Sequence, residues 1–344
     1  MCTYGYSPDS LFVRHRFRTP AVRHLAWLVR SEPLLTHYQG KDNVSGATAW
    51  PGSVDETLLE LDRNPEALLA HLQSRPSRRL GLYFEQLYGF ALTALLGQRI
   101  LAQNLPIRVG GRTLGELDFL VADPATGRIV HHEIAVKYYM GWPDLNADVN
   151  SVSRDRAEEP RVDGKPPGWY GPDTRDQLSA KLRRLQEHQL PLWRSEAGRA
   201  CLRSEGLPEI ETSHLGLYGY LFRHYQAPTP PLPEEITIPA PEHTWRKADE
   251  FQCSAADTPR IRIRKPDWLG PLQLADDFRP DPSEPGAIAE ESQQRPVLVA
   301  TMDRTEQGFW LERAREFVVP NSWCRTIRTP EPNGAARTYH QSRP

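Results

Sequence analysis

Hydrophobic spacing divides the chain into a helical start, a middle in which helix and strand periods alternate, and a strand-rich end. Residues 1–77 read as a broken helical segment. TPAVRHLAWLVRSEPLL offers Thr19 as a cap and Pro20 at the first helical position, where a missing N–H removes no hydrogen bond. VDETLLELDRNPEALLAHLQ repeats leucine at helical steps over 54–73, with Pro65 as a break. In RRLGLYFEQLYGFALTALLGQ, Leu80, Phe84, Leu87, Tyr88, Ala91 and Leu95 recur at steps of three and four. That spacing predicts an amphipathic helix over 78–98 with Glu85 at the border of its apolar face.

The period then changes to two. RILAQNLPIRVG predicts a strand over 99–109, closed by the Gly110-Gly111 turn. In TLGELDFLVAD, Leu114, Glu116, Asp118 and Leu120 are expected on one face, and Leu117, Phe119 and Val121 on the other. Pro124 to Gly127 supplies a hairpin turn. RIVHHEIAVKYYM then returns with Glu133, Ala135 and Lys137 on one face and Ile134 and Val136 on the other. Residues 140–173 read as a long polar loop, of the kind that is either a functional lid or without fixed structure. Gly171-Pro172-Asp173-Thr174 predicts a turn and a cap for the helix RDQLSAKLRRLQEHQL, which carries Gln177, Lys181, Arg184 and His188 on one face. HLGLYGYLFRHY, 214–225, predicts another strand. The order over 78–225 is helix, three strands, helix, strand, which is an α/β pattern. Beyond it, PTPPLPEEITIPAPE reads as a linker, and 226–344 as a small β-rich region with strands in PRIRIRK, RPVLVATMD and FWLERAREFVVP.

Composition narrows the classes. With 344 residues and 39 % hydrophobic content the chain can bury a core in one or two domains. A formal net charge of −2 argues against a protein that coats nucleic acid unspecifically, while leaving room for a local basic groove. The four cysteines are far apart in sequence, so no CxxC metal site is available, and scattered single thiols suit a reducing cytoplasm. No signal-peptide pattern and no long apolar run is read, so no membrane partner is expected. Only six of the 42 basic residues are lysine. A lysine inside an apolar strand, as Lys137 is, therefore draws notice as a compact charge whose pKa responds to burial.

The candidate chemistry lies in the hairpin. Glu116, Asp118, Glu133 and Lys137 interrupt two apolar strands, and charges buried there need a partner or a metal. Asp118 and Glu133 on adjacent strands suit Mg²⁺ or Mn²⁺, which take carboxylate and water oxygens. His132 beside Glu133 is a further candidate ligand or substrate contact. The plainer alternative is an ion-pair network that fixes the hairpin register.

A helix carrying Glu85, a strand carrying Asp118 and a strand carrying Glu133 and Lys137, followed by a helix and a strand, resemble the core of the PD-(D/E)XK nuclease superfamily. The resemblance implies a restriction-endonuclease-like core, a mixed central sheet flanked by helices; the N-terminal helical segment, which carries no evident chemistry, is expected to pack on it. It implies Mg²⁺ or Mn²⁺ held by Asp118, Glu133 and Glu85, with Lys137 orienting water and stabilising charge at the phosphate. Gln177 and Lys181 on the following helix are the matching phosphate contacts. More narrowly, RLGLYFEQLYGF, RTLGELDFLV, HHEIAVKYYMGW and WYGPDTRDQLSAKLRRLQEHQL are similar to a bacterial family catalogued as domain of unknown function 1853, over roughly 78–190. One position departs from the superfamily pattern. The residue two before the lysine is Ala135, and Glu133, four before, is displaced by about two strand rises, roughly 6.6 Å. Either Glu133 reaches in, or Glu116 supplies the second carboxylate, or the site has lost metal affinity. The expected function is metal-dependent phosphodiester hydrolysis of nucleic acid, DNA ahead of RNA. The competing expectation is a non-catalytic nucleic-acid- or protein-binding module on the same fold.

Overall fold

The computed structural model describes residues 10–35, 44–45, 50–124, 126–143, 166–236, 241–251 and 258–324. Helices α1 (Leu11–Arg14), α2 (Pro20–Arg30), α3 (Val54–Arg63) and α4 (Glu66–Gln73) come first, with the short strand β1 (Val44–Ser45) between α2 and α3. Pro20 opens α2 and Pro65 separates α3 from α4, because neither ring can continue a preceding turn. The helices are tied down by buried polar groups as well as apolar ones. Asp62 of α3 accepts the N–H groups of Arg18 and Thr19 at 3.0 Å each, fixing the approach to α2.

Helix α5 (Leu80–Phe90) buries Phe84, Leu87 and Tyr88 and widens into a π-helical turn over Ala91–Leu95. Strands β2 (Arg99–Val109), β3 (Arg112–Ala122) and β4 (Ile129–Trp142) follow as an antiparallel meander. The short β5 (Gly168–Tyr170) pairs with the end of β4. Residues 144–165, the larger part of the expected lid, lie outside the described residues. Helix α6 (Leu178–Arg184) starts four residues after the expected cap at Thr174, with Gln177 in the N-cap position. The reason is that Asp173 binds Arg175 and Asp176 binds Lys137, so both carboxylates are engaged in the turn. A π-helical turn (Leu185–Gln189) and α7 (Glu196–Ser204) complete the crossover to β6 (Thr212–His224). β6 lies parallel to β4, from Val130↔Thr212 to Met140↔Phe222. Such a parallel return needs a long connection, which α6 and α7 provide.

The rest of the chain contributes β7 (His243–Lys247), β8 (Arg260–Ile263), β9 (Gln273–Leu274), α8 (Glu284–Ser292), β10 (Val297–Arg304) and β11 (Trp310–Val319). These strands continue the same sheet, in the order β2-β3-β4-β6-β7-β11-β10-β8. The molecule is therefore mixed α/β around one large mixed sheet. The strands expected as a small C-terminal addition join it because β6 is buried along nearly its whole length. A strand of that character belongs inside a sheet rather than at its edge.

Adjacent residues of β4 reach opposite cores. Ile134 and Tyr138 pack with Phe84 and Tyr88 of α5 on one side of the sheet. Tyr139 and Ala135 pack with Leu178, Leu182 and Leu185 on the other. The sheet is thus covered by α2 and α5 on one face and by α6 and its π-helical extension on the other. No helix among the described residues is long and apolar enough to cross a membrane.

Candidate active site where two strands part

β3 and β4 pair from Ala122↔Ile129 to Phe119↔His132, and the ladder ends there. Beyond that point β3 stays with β2, and β4 stays with β6. At the fork, Oδ2 of Asp118 accepts the N–H of Ile134 at 3.0 Å. A side chain thus takes the role of a ladder carbonyl, satisfying a backbone donor as the strands separate. The opening is lined by Glu85, Asn104, Glu116, Asp118, Arg184 and Gln189 and has a volume of about 470 Å³.

Asn104, between the β2 residues that pair with Phe119 and Leu117, has φ 54°. Asparagine tolerates this left-handed region better than most residues with a Cβ. Its Nδ2 donates to Oε2 of Glu85 at 3.2 Å, holding the helix carboxylate toward the fork. The strict in–out alternation expected for β3 fails here. Leu117 packs in the same buried cluster as Leu120, while Phe119 and Val121 pack across the sheet.

Glu133 is 1 % exposed on the α6 side of β4. Gln189 links it to the helix: Nε2 donates to Oε1 of Glu133 at 2.5 Å, and Oε1 accepts from Nζ of Lys181 at 3.0 Å. The π-helical turn over Leu185–Gln189 brings Gln189 into line with Lys181, eight residues earlier. Single π turns of this kind are frequent at functional sites. The other oxygen, Oε2 of Glu133, is buried with no hydrogen-bond partner. Nε2 of His131 is 3.9 Å from it and also without a partner, and that separation is too long for a hydrogen bond.

The electrostatics follow from this crowding. Burial pushes the Asp118 carboxyl up to about 7, against the opposing bond from Ile134, and Glu85 adds to the rise. Burial and the neighbouring Asp118 hold Glu133 well above the usual carboxylate range. Glu85 is raised by burial, with its bond from Asn104 opposing and Glu116 reinforcing the shift. Burial lowers Lys181, while Glu133 and Asp118 draw it back up. Burial alone brings His131 down to about 4, so it is neutral near pH 7.

The structure thus brings Glu85, Asp118, Glu133 and Lys181 together. Glu116 is exposed on the rim of the same opening. Lys137 forms an ion pair with Asp176, at 2.6 Å, in the turn before α6. Gln177 stands at the N-cap position of α6 without a side-chain capping bond, and lines a shallow groove with Lys137 and Lys181. His132 is remote from the opening: it points to the α5 face, where its Nδ1 is 2.8 Å from the Tyr88 hydroxyl and its ring packs on His214. Asn104 and Gln189 were not legible as site residues. Asn104 is marked only as a polar residue in an apolar strand, and Gln189 falls off the predicted helical face until the π turn shifts it.

Among the described residues no group of three or more His, Cys, Asp or Glu side chains is gathered closely enough to hold an ion. Asp118 and Glu133 nevertheless fit a hard divalent cation in one respect. They offer carboxylate oxygens, one of them buried and unpartnered, and Mg²⁺ commonly binds through one or two carboxylates while keeping several waters.

No curated protein matches the chain, and no solved structure matches it. The family model described as Domain of unknown function (DUF1853) matches residues 23–319, from α2 to the end of β11, and so takes in every residue of the opening. The chain belongs to this family.

Proposed function

We propose that the chain is a divalent-metal-dependent phosphodiesterase acting on nucleic acid, with DNA as the first substrate class to examine. The observation that carries this reading is Glu133, a fully buried carboxylate with one unpartnered oxygen, near enough to Asp118 that the aspartate opposes its ionisation. Leaving a buried acceptor unsatisfied costs about 1–3 kcal/mol, and a second buried carboxylate adds to the penalty. Buried carboxylates with strongly raised pKa values cluster at functional sites, which supports this reading.

Mg²⁺ or Mn²⁺ bound by Asp118 and Glu133 would supply a polarised phosphoryl oxygen and an activated water, with Glu85 of the helix bordering the opening rather than completing a three-carboxylate cluster. The chain's own residues do the remaining work. Gln189 orients Glu133 and Lys181 through one amide. Lys181, rather than Lys137, puts a cation beside the carboxylates, where it opposes charge developing on a phosphate. Asn104 keeps Glu85 turned inward, and Arg184 lines the mouth.

A second reading, a non-catalytic nucleic-acid- or protein-binding module, is favoured by one observation. The strand lysine, Lys137, is neutralised by Asp176, and Ala135 stands where the superfamily has an acid. Incubation of wild type and Asp118→Asn with single-stranded, duplex and branched DNA, and with RNA, in Mg²⁺ and Mn²⁺ separates the two. Cleavage by wild type that the variant lacks supports the enzyme. Equal binding by both proteins with no cleavage supports the module.

A further inference from the structure

A second cleft lies on the other side of Glu85, which borders both openings. It encloses about 650 Å³ and is walled by segments distant in sequence. Arg78 and Arg79 come from the turn before α5, Lys137 from β4, and Lys265 and Trp268 from the loop after β8. The C-terminal part of the chain therefore completes a cavity bordered by Glu85, which also lines the opening at Asp118.

The charges in this cleft do not cancel. Asp176 is engaged by Lys137 and by the Tyr139 hydroxyl, and Asp173 is engaged by Arg175. Arg78, Arg79 and Lys265 are exposed, and none has an acidic partner among the described residues. Lys265 is presented on a fixed platform. Its Nζ lies 4.6 Å from the centroid of the Trp268 ring. That ring is anchored by its N–H to the Ile263 carbonyl at 3.0 Å and by edge contacts with Tyr138 and Phe317. The scarcity of lysine sharpens the point: of the four lysines among the described residues, Lys137 and Lys265 line this cleft, and Lys181 lines a neighbouring groove that shares Lys137. In a chain that uses arginine almost everywhere else, compact ammonium groups are concentrated where a phosphate would lie.

We propose that Arg78, Arg79 and Lys265 form a binding position for a backbone phosphate of the nucleic-acid strand, next to the phosphate engaged at Asp118 and Glu133. This rests on the phosphodiesterase reading for its substrate class. Phosphate contacts of this kind fix the register of a strand without reading its bases, so the position confers affinity and alignment rather than sequence preference.

The test measures binding of a labelled oligonucleotide, single-stranded and duplex, by fluorescence anisotropy in EDTA over a range of salt concentrations. Wild type is compared with the full-length variant Arg78→Ala/Arg79→Ala/Lys265→Ala. All three side chains are exposed, so the fold is expected to survive, which thermal unfolding checks, and single Lys265→Gln provides a milder second variant. The expected result is at least a tenfold loss of affinity in the triple variant and a smaller loss in Lys265→Gln. The slope of log K against log salt should fall by at least about one, as loss of a phosphate contact requires. An unchanged affinity and slope, or a wild type that binds no oligonucleotide, overturns the inference. Inorganic phosphate or a mononucleotide that matches the oligonucleotide in affinity, and loses it in the variant, reassigns the position to a free phosphate and overturns the strand assignment. Because no metal is present, binding that the variant weakens in a protein that never cleaves upholds this position and contradicts only the hydrolase reading.

Discussion

The ammonium of Lys137 lies 2.6 Å from Oδ2 of Asp176, and both side chains are about one-third exposed. The lysine that the strand pattern singles out is thereby bound to the turn before α6. Lys181, on the helix that follows that turn, is the cation drawn toward Glu133 and Asp118. Exposed ion pairs contribute little to stability, about 0–1 kcal/mol, so the Lys137–Asp176 pair can be broken at small cost.

For the proposed phosphodiesterase, this difference between the two lysines predicts unequal effects on the rate. Lys181→Met should lower the initial rate by at least about a hundredfold, the loss typical of removing one charge-stabilising donor. Lys137→Met should lower it less than about tenfold. Rates at saturating Mn²⁺ on one oligonucleotide decide the matter, and the reverse ranking would return the catalytic role to Lys137.

Asp118 also predicts a pH signature. Its folded pKa, about 7, lies above its ordinary value of 3.8. Between those values the native state holds a proton that the unfolded chain has lost, so raising the pH lowers stability across that window. Other buried groups titrate there too, so the informative quantity is the difference from Asp118→Asn. Free of metal, the variant should gain on wild type as pH rises from about 4 to 7, by an amount on the order of a few kcal/mol. Urea unfolding at several pH values provides the comparison, and a difference independent of pH would contradict the burial of this charge.

Gly219 on β6 faces Lys137 on β4 with φ 131°, and a Cβ there would stand 1.7 Å from the Lys137 carbonyl oxygen. Gly219→Ala should therefore destabilise the protein by roughly 1–3 kcal/mol or more, since backbone must move. An unfolding midpoint equal to that of wild type would show that the two strands are not so closely apposed.

Arg315 of β11 is 1 % exposed and binds Glu312 as well as the carbonyls of Trp268 and Gly270. It ties the loop that carries Lys265 and Trp268 to the sheet. Arg315→Ala should cost about 3–5 kcal/mol, because Glu312 is left buried without its counter-charge. Adding Glu312→Gln should restore part of the loss, and an additive double variant would contradict the coupling.

Much of the site was legible because charge in an apolar strand is conspicuous. Asp118 and Glu133 stood out for that reason, and Glu85 did so at the border of a helical face. Helices α5 and α6 and the four long strands β2, β3, β4 and β6 followed from period alone, while the short β5 formed inside the segment read as a loop and α7 was not read. What the pattern could not supply is the local geometry. The left-handed Asn104 and the fork at Asp118 break the alternation of β3, so faces read by parity go wrong between Leu117 and Phe119. The π turn that lines up Gln189 with Lys181 has no signature in a 3.6-residue count. The continuation of the sheet through β7, β11, β10 and β8 depends on long-range pairing, which short strands separated by proline-rich sequence do not announce.

The proposed phosphodiesterase requires Asp118 and Glu133 to bind a divalent cation. Calorimetric titration of Mn²⁺ into wild type, Asp118→Asn and Glu133→Gln at pH 7.5, roughly at or above the Asp118 pKa of about 7, tests it most directly. One binding event in wild type, accompanied by proton release and lost in both variants, is the predicted result. Binding that survives both substitutions would place the ion elsewhere and overturn the proposal, and so would a wild type that takes up no Mn²⁺ even with an oligonucleotide bound.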